Sequence, residues 1–405
     1  MLNVLVIHQN FPGQFRNLVK RSILSSDIDV LGVGLDTAPG MPGVKLIRYK
    51  PTRGFSEKTH PYLRNYEECI LRGQQVSRLL SDLKRNGYRP DVILAHPGWG
   101  ETLFVKDVFC NVPLVHYCEY FYHVEGADVG FDHEYPSDID TFAKLRANNA
   151  MHLLNLEQCD LGITPTAWQF KLHPQAYQSK LKICHEGIDI ESGGRGLVER
   201  CKVADDLSIS SDDKIITYVA RNLEPYRGFH SFMRAISIVL KNNPTVRVVV
   251  VGGDDVSYGR QPIGYDNWRL KMLDELELDK SRIHFTGKVS YQEYKRILAI
   301  STVHIYLTYP FVLSWSLLEA MSSGCIIVGS KTSPLEEVIE DSHNGFLVEF
   351  FDYEGIAKKV LDVLDNEQDM GVIRENARKS VLRFDSNSCT DKYISILHSV
   401  LNLDK

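Results

Sequence analysis

The sequence predicts an α/β protein built from two doubly wound domains, each with a mostly parallel sheet covered by helices. Short apolar runs alternate with longer amphipathic stretches along nearly the whole chain, as expected where crossover helices join parallel strands. This alternation starts again near residue 214, after a glycine-rich segment. A chain of 405 residues is also too long for one ordinary core, and it suits two domains of about 200 residues each.

The first domain is predicted to cover residues 1–190. Its strands are predicted at 2–7, 28–34, 44–49, 91–95, 113–117 and 161–165, with a last strand within 182–189. Helices are predicted at about 14–24, 62–84 and 138–160. The loop after the first strand, His8–Gln14, contains Gly13 and leads into a helix. Such a loop can direct backbone N–H groups at an anion, although many α/β proteins have it without a ligand.

A linker is predicted at residues 191–196, which are rich in glycine and short of apolar side chains. The second domain is predicted to cover residues 197–386. Its strands are predicted at 214–220, 246–251, 283–287, 303–307 and 325–329, and its helices at about 228–241, 268–276 and 291–299. A C-terminal helix is predicted at about 387–405, with the first domain as one place where it could pack.

The composition argues against several classes of protein. A hydrophobic fraction of 43% and a charged fraction of 24% are typical of soluble globular proteins. The net charge of −6 gives no general attraction to nucleic acid or anionic lipid, and no apolar run approaches the ~20 residues of a membrane span. The N-terminus lacks a basic leader, so Met1–His8 is predicted to be a first strand. Eight scattered cysteines without a CxxC pattern predict reduced thiols in a cytoplasmic protein, and no zinc site.

Two arginines follow the first strand of the second domain. Arg221 and Arg227 lie six positions apart, around a turn that leads into a helix at Gly228. The planar guanidinium group donates paired hydrogen bonds to phosphate oxygens and keeps its charge at any physiological pH. At the carboxyl end of a strand, where open α/β sheets bind ligands, the pair favours an anion-binding site. An ordinary pair of surface arginines is the alternative.

A second polar feature is the carboxylate of Glu319, within the segment Tyr309–Gly324 between two predicted strands. It is expected in the first turn of a helix that Gly324 ends in the left-handed conformation. Two interpretations remain open. Glu319 could contact a ligand at the strand end, or Ser316-x-x-Glu319 could be a capping box in which Glu319 binds only the backbone of its own helix.

Taken in order, these motifs resemble those of the retaining GT-B glycosyltransferases of family 4. The matching segments in the second domain are Arg221…Arg227-Gly228, Val250–Gly253, Phe285–Val289, Glu319-Ala320-Met321 with Gly324, and Pro334…Glu337…Asn344–Val348. The first domain matches more loosely, through the His8–Gln14 loop, the strand end at His116, and Glu186–Asp189. The resemblance implies two Rossmann-like domains that face each other across a cleft.

The resemblance also implies roles for individual residues. Arg221 and Arg227 would bind the donor diphosphate in place of a metal ion, and Glu319 would accept hydrogen bonds from the ribose. The residues implied for catalysis are His116, Arg221, Arg227 and Glu319. The residues implied for binding the nucleotide sugar are Gly13, Arg221, Arg227, Gly252, Lys288, Val289, Phe311, Val312, Leu313, Ser314 and Glu319. Among these, Lys288 and Val289 would meet the nucleobase through their backbone.

Two positions leave questions open. The first glutamate of the E-x7-E motif of the family, which contacts the donor sugar, would fall at position 311, where this chain has Phe311. Backbone amides of Phe311 to Ser314 could meet the sugar or the phosphates instead. His116 would touch the transferred sugar, and Glu119, His123 and Glu125 are alternatives for that role.

The predicted function is that of a cytoplasmic, metal-independent glycosyltransferase in glycan or glycolipid biosynthesis. It would move a hexose-type sugar, with retention, from a UDP- or GDP-linked donor to a hydroxyl acceptor that is a glycan, a lipid-linked molecule or a small molecule. No cofactor, metal or nucleic-acid partner is predicted. A basic helical face (Arg16, Lys20 and Arg21) could make a weak peripheral membrane contact. The alternatives are a nucleotide-sugar epimerase or a phosphorylase on the same scaffold, or a catalytically silent partner that binds sugar nucleotides.

Overall fold

The computed structural model describes residues 1–190, 200–204, 207–210 and 213–401. The chain divides into two compact units. Unit 1 contains Met1–Gly187 together with the C-terminal segment that starts at Ser386, and unit 2 contains Ile188–Asp385. The linker predicted at residues 191–196 lies outside the described residues.

Unit 1 contains a seven-stranded sheet in which every neighbouring pair of strands is parallel. Its strands are β1 (Leu2–Ile7), β2 (Ile28–Leu35), β3 (Lys45–Tyr49), β4 (Val92–Ala95), β5 (Leu114–Tyr117), β6 (Leu161–Thr164) and β7 (Leu181–Ile183). The strand order is β3-β2-β1-β4-β5-β6-β7, so the direction of winding reverses between β1 and β4. The predicted strands are confirmed, except that β7 ends at Ile183 and the chain continues without regular structure to residue 190.

Helices cover both faces of this sheet. They are α1 (Arg16–Leu24), α2 (Arg64–Arg85), α3 (Val105–Val108), α4 (Ile139–Gln158), α5 (Ala167–Leu172) and α6 (Gln175–Gln178). Successive side chains of β1 enter opposite cores: Val4 packs against residues of α1, and Leu5 packs against residues of α2. A strand buried on both faces must be apolar throughout, which explains the unbroken apolar run in the sequence.

Unit 2 begins with an antiparallel pair, β8 (Arg200–Ala204) and β9 (Leu207–Ser210). A six-stranded parallel sheet follows. Its strands are β10 (Ile215–Asn222), β11 (Arg247–Gly253), β12 (Ile283–Gly287), β13 (Val303–Tyr306), β14 (Ile326–Ser330) and β15 (Phe346–Val348). The order is β12-β11-β10-β13-β14-β15, so this sheet reverses between β10 and β13. The short strands β8, β9 and β15 were not predicted.

The helices of unit 2 again pack on both faces of its sheet. They are α7 (Phe229–Asn242), α8 (Trp268–Glu275), α9 (Tyr291–Ala299), α10 (Trp315–Ser322), α11 (Ser333–Glu336), α12 (Tyr353–Asp365) and α13 (Gly371–Val381). The last helix of the chain, α14 (Ser386–Val400), belongs to unit 1. Its side chains Tyr393, Leu397 and Val400 are part of the same hydrophobic core as Leu18 and Val19 of α1.

Within the described ranges, no helix has the length and apolar character needed to cross a membrane. All eight cysteines are free thiols, and seven of them are buried.

Candidate active site

The switch point of the unit 2 sheet holds the two arginines. β10 ends at Asn222, and a short 3-10 turn, Pro225–Arg227, leads into α7. Gly228 ends this turn with φ of 70°, and a Cβ there would come within 2.3 Å of Leu307. Only glycine fits such a position, so the tight turn keeps Arg227 beside the carboxyl ends of β10 and β13, where ligands bind in open α/β sheets.

Arg227 is held by uncharged partners. Its guanidinium donates to Thr308 Oγ1 at 2.9 Å and to the Val312 carbonyl at 3.1 Å. The rings of Tyr258 and Phe311 have their centroids 5.5 and 5.9 Å from the guanidinium carbon, within the range of cation–π contacts. Among the described residues it forms no ion pair. A largely enclosed cation without a carboxylate partner favours the binding of an anion.

Arg221 complements this arrangement. Its side chain is exposed, and in the described part of the chain it has neither a hydrogen bond nor an ion pair. Both arginines line one small cavity of about 70 Å³, together with Ser314, Ser316 and Tyr306. The structure thus brings together three predicted site residues, Arg221, Arg227 and Ser314.

Phe311 lies beside this cavity as part of an aromatic cluster. Its side chain is only 5% exposed, and its ring meets those of Tyr258 and Tyr226 edge-on, with centroids 5.0 and 5.6 Å apart. An aromatic ring that packs against Arg227 therefore occupies the position where the resemblance would place a carboxylate.

The backbone amides of residues 311–314 are only partly available. Phe311 N donates to the Tyr309 carbonyl at 2.6 Å, and Ser314 N donates to the Tyr306 hydroxyl at 2.9 Å. Val312 N and Leu313 N have no acceptor within the described ranges. Val312 N and Leu313 N are therefore the amides of this segment that are free to donate to a ligand.

The position of Glu319 differs from the predicted first-turn position, and it also rules out the alternative of a Ser316–Glu319 capping box. α10 begins at Trp315, and Ser314 is its N-cap, whose hydroxyl accepts from Ser316 N. Glu319 is thus the fifth residue and lies in the second turn, so the prediction of a first-turn position is wrong. The Ser316–Glu319 capping box is also wrong, because the helix starts before Ser316 and the carboxylate binds residues of another helix.

Those partners are two tyrosines of α9. Tyr291 donates its hydroxyl to Glu319 Oε1 at 2.7 Å, and Tyr294 donates to Oε2 at 2.8 Å. Glu319 is 7% exposed, and burial raises its pKa above the ordinary value, while the two hydrogen bonds act in the opposite direction. The structure does not place Glu319 among the residues that line the cavity of the arginines.

The end of α10 is as the sequence predicts. Gly324 has φ of 80° and follows the last helical residues. Gly324 N donates to the Met321 carbonyl at 3.0 Å, and Cys325 N donates to the Ala320 carbonyl at 3.1 Å. This pair of hydrogen bonds is the Schellman motif, and it returns the chain directly into β14.

Gly252, Lys288 and Val289 are not among the residues that line the cavity. At Gly252 a Cβ would come within 2.8 Å of the Ala220 carbonyl oxygen, so the close approach of β10 and β11 requires glycine there. Lys288 is exposed and forms an ion pair with Asp255 at 3.2 Å, while Val289 is partly buried. Lys288 and Val289 follow β12, which is two strands away from β10.

In unit 1 the switch point carries a different set of groups. Gly13 has φ of 51°, and a Cβ there would come within 2.2 Å of the His8 ring, so glycine makes room for the imidazole. His8 Nδ1 accepts from Asn10 N at 2.9 Å, so its Nε2 carries the proton and donates to Gln14 Oε1 at 2.6 Å. Burial lowers the pKa of His8 to about 3, which keeps this ring neutral.

The carboxylate of Glu119 is the common acceptor of this network. Gln14 Nε2 donates to Oε1 at 2.9 Å. His96 Nδ1 accepts from Gly98 N at 3.1 Å, so its Nε2 donates toward Oε2 at 3.4 Å. Burial acts to raise the pKa of Glu119, but the hydrogen bond and charge interaction with His96, the hydrogen bond from Gln14 and a smaller charge interaction with His8 outweigh it, so the pKa lies below its ordinary value.

This set of residues, which we call the Glu119 network (His8, Gln14, His96 and Glu119), was not predicted, although the positions of its members in the sequence indicated it. His8 follows β1, His96 follows β4, and Glu119 lies two residues beyond β5. These strands are neighbours in the sheet, so polar residues at their carboxyl ends had to meet.

His116 is not part of the network. Its side chain is completely buried on β5, and neither ring nitrogen has a hydrogen-bond partner among the described residues. Of the alternatives, His123 bonds to the Leu172 carbonyl at 2.7 Å and Glu125 is exposed. Glu119 is therefore the residue of this group that the structure brings to the switch point, together with the Gly13 loop.

Comparisons with known proteins place the chain in a family. Residues 26–192 match the model of the glycosyl transferase family 4 group, and residues 201–380 match that of the glycosyl transferases group 1. An uncharacterized glycosyltransferase of Methanocaldococcus jannaschii is 26% identical over 246 residues, which are 60% of this chain and 58% of that protein. The chain spans between 35% and 58% of the length of the curated relatives that it matches.

Solved structures show the same fold over the whole chain. Sucrose-phosphate synthase from Thermosynechococcus elongatus has a TM-score of 0.71 at 16% identity, with 99% of both chains covered. HepE of Anabaena, solved in complex with UDP-glucose, has a TM-score of 0.68 at 16% identity and covers 98% of this chain and 100% of its own. These likenesses confirm the predicted fold class, two Rossmann-like domains of the GT-B type. With both of its segments matched, the chain belongs to the GT-B glycosyltransferases of family 4.

Proposed function

We propose that this protein transfers a sugar from a nucleotide diphosphate sugar to a hydroxyl acceptor, with retention of configuration at the anomeric carbon. The observation that carries the proposal is the charge of Arg227. Thr308, Val312 and two aromatic rings fix this guanidinium without neutralising it, beside an exposed and unpaired Arg221. A diphosphate is the ligand that such a pair of forks suits best.

In this reaction the two arginines supply the positive charge that the leaving group needs. The bond between the anomeric carbon and the phosphate oxygen breaks, and negative charge grows on the diphosphate. Preorganised guanidinium groups stabilise that charge most in the transition state. We therefore propose a transfer that needs no metal ion.

Retention follows if the acceptor attacks from the face that the diphosphate leaves. The acceptor oxygen bonds to the anomeric carbon, and its proton passes to an oxygen of the departing diphosphate. Val312 N and Leu313 N have no acceptor in the described part of the chain. They lie close to the guanidinium of Arg227, which donates to the Val312 carbonyl at 3.1 Å, and they are suited to donate to the phosphates or the sugar. Ser314 lines the cavity beside them.

Glu319 retains the capacity to bind the ribose of the donor. A carboxylate offers about four acceptor sites, and the two tyrosine hydroxyls occupy two of them. The remaining lone pairs could accept from ribose hydroxyls. Gly252, Lys288 and Val289 remain proposed as the surroundings of the nucleotide, and Gly13 as part of the loop that approaches the phosphates.

The donor is proposed to be a UDP- or GDP-linked hexose. Support for this class comes from the structure of HepE, a protein of the same fold solved with UDP-glucose. The acceptor is proposed to be a glycan, a lipid-linked molecule or a small molecule. Seven buried free thiols support a cytoplasmic location, since the cytoplasm keeps thiols reduced.

A thermal-shift screen tests the proposal. The protein is heated with UDP, GDP, ADP or CDP and with their sugars, each with and without EDTA. We expect stabilisation by one base family that EDTA does not abolish, and its loss in Arg221→Ala. The matched control is Arg78→Ala, an exposed arginine of unit 1. Stabilisation by none of these ligands, or a strict need for metal, would contradict the proposal.

Turnover assays separate the alternatives. Conversion of the donor without any acceptor would indicate an epimerase. Tight nucleotide binding with no turnover across a broad panel of donors and acceptors would indicate a silent binding partner.

A further inference from the structure

The loop between β11 and α8, residues 254–267, is held against the turn of the two arginines by one buried carboxylate. Glu224 directly precedes the 3-10 turn and is 1% exposed. Its Oε1 accepts from Ser257 N at 3.1 Å, and its Oε2 accepts from Tyr258 N at 3.1 Å and from Gly259 N at 2.8 Å. Three consecutive backbone donors of the loop thus converge on a single side chain.

The same stretch of the loop is also fixed on either side of this contact. Arg269 of α8 forms an ion pair with Asp254 at 2.6 Å, and the Trp268 indole donates to the Arg260 carbonyl at 2.9 Å. Residues 254–260 are therefore held in place before any ligand arrives. Long loops without regular structure are uncommon in compact domains, and an ordered one at the edge of a sheet suits a binding function.

Glu224 lines the same cavity as Arg221 and Arg227, but in the part of the chain that the structure describes it forms an ion pair with neither. Its two oxygens face the three N–H groups of the loop instead. A carboxylate that accepts several backbone hydrogen bonds is oriented by them. Glu224 therefore orders the loop, and both guanidinium groups stay available to an anionic ligand.

The side chain that this arrangement places at the cavity is Tyr258. It lines the cavity together with the two arginines, and it remains 39% exposed. Its ring centroid lies 5.5 Å from the guanidinium carbon of Arg227 and 5.0 Å from the ring centroid of Phe311. A tyrosine combines an apolar ring, which can shield a guanidinium from water, with a hydroxyl that can donate to an oxyanion.

We propose that Tyr258 contacts the diphosphate of the donor and that Glu224 is a positioning residue, which acts by holding Tyr258 in place. The phenol hydroxyl donates to an oxygen of the phosphate group that Arg227 binds, and the ring covers one side of the guanidinium. The inference rests on the proposed function, because it takes a diphosphate as the ligand of the two arginines.

Isothermal titration calorimetry of Tyr258→Phe tests the contact. The probes are UDP and UMP, or GDP and GMP if the thermal-shift screen selects guanine. We expect the affinity for the diphosphate to fall about tenfold, the effect of losing one hydrogen bond to a charged group. The affinity for the monophosphate should change little, because this ligand lacks the second phosphate. An equal loss for both ligands would place Tyr258 elsewhere on the nucleotide and overturn the inference.

The matched control is Tyr265→Phe, in the same loop. The Tyr265 hydroxyl donates to Asp274 of α8 at 2.6 Å, and Tyr265 does not line the cavity. Its substitution should leave the affinities for both nucleotides unchanged. A loss as large as that of Tyr258→Phe would show that any disturbance of the loop weakens binding, which would also overturn the inference.

Two further measurements test the positioning role of Glu224. In hydrogen-exchange mass spectrometry, Glu224→Gln should remove protection from peptides that contain residues 257–259, whereas Tyr258→Phe should not. Glu224→Gln should also weaken binding of the diphosphate, but it should cost little further affinity when Tyr258→Phe is already present, because both changes remove the same contact. Additive losses would show that Glu224 acts by another route and would overturn its assignment.

Failure of this inference can be told apart from failure of the proposed function. If the diphosphate binds and Arg221→Ala abolishes its binding, but Tyr258→Phe binds it as tightly as the unaltered protein, only the inference falls. If the unaltered protein binds no nucleoside diphosphate, both fall.

Discussion

The switch points of the two sheets lie at matching places but hold different charged groups. Behind β10 in unit 2 are two guanidinium groups, and Arg227 has only uncharged partners. Behind β1 and β4 in unit 1, His96 and Gln14 donate to the carboxylate of Glu119, and His8 donates to Gln14. Both sheets have a switch point at the carboxyl ends of their strands. The residues directly after those strands decide which ligand each switch point can bind.

The largest effect should come from removing the charge of Arg227. We expect Arg227→Ala to lower kcat/KM for the donor by about a thousandfold, because charge that grows on the diphosphate then lacks its fixed partner. Steady-state kinetics with the donor identified in the thermal-shift screen would measure this. Glu119→Gln should leave the KM for the donor unchanged. If both substitutions change donor kinetics alike, the two switch points do not have separate roles.

Lowering the pH should also destabilise unit 1 more than unit 2. Burial lowers the pKa of His8 to about 3 and that of His152 and His173 to about 4 in unit 1, and that of His304 to about 3 in unit 2. Each ring is neutral when folded and gains a proton on unfolding below its ordinary pKa of 6.5. Stability is therefore lost as the pH falls from about 6.5 toward about 4, and unit 1 should lose more.

Hydrogen-exchange mass spectrometry at pH 7 and pH 5, corrected for the intrinsic exchange rate, would test this order. Peptides from β1 and β2 should lose protection more than peptides from β10 and β11. Equal loss in the two units, or earlier opening of unit 2, would contradict it.

The third comparison is between two carboxylates, that of Glu224, which is buried, and that of Glu119, which is partly exposed. Glu224 is 1% exposed, and its oxygens accept from Ser257 N at 3.1 Å, Tyr258 N at 3.1 Å and Gly259 N at 2.8 Å. Glu224→Gln replaces one acceptor oxygen by a donor that faces buried N–H groups, and it should cost about 2 kcal/mol of unfolding free energy. Glu119→Gln, at a partly exposed site, should cost less than about 1 kcal/mol. Urea unfolding followed by circular dichroism would compare them, and the reverse order would refute the distinction.

The smallest effect is expected at Phe311. Phe311→Leu keeps an apolar side chain but removes one of the two rings near Arg227, and a cation–π contact contributes about 1 kcal/mol. Affinity for the nucleotide should fall about fivefold, with little change in the melting temperature of the unliganded protein. Isothermal titration calorimetry would measure it. An unchanged affinity would show that Tyr258 alone positions the guanidinium.

Much of the architecture follows from the sequence because it depends on periodicity and on residues near each other in the chain. The strands, the turn of Arg221 and Arg227, and the end of α10 at Gly324 are all of this kind. Their determinants are apolar runs, a glycine with positive φ and short spacings, which the sequence displays directly.

The features that could not be predicted depend on contacts between residues far apart in the chain, or on which side of a strand a side chain faces. Glu319 binds two tyrosines that precede it by 28 and 25 positions, and Gln14 binds Glu119 across 105 positions. His116 lies in a strand that is buried on both sides, so no alternation of polar and apolar residues indicates its direction. The start of α10 was misplaced because Ser314 and Ser316 could each be its cap, and only the structure shows that Ser314 is the N-cap.

The division of the chain also has a consequence for synthesis on the ribosome. Unit 2 is one uninterrupted stretch, Ile188–Asp385, inserted into unit 1, and Ile188 N donates to the Phe384 carbonyl at 2.8 Å, so the two ends of the insert lie side by side. The core of unit 1 is completed only by Tyr393, Leu397 and Val400 of α14. Unit 2 can therefore finish folding during synthesis before unit 1, whose core still needs α14.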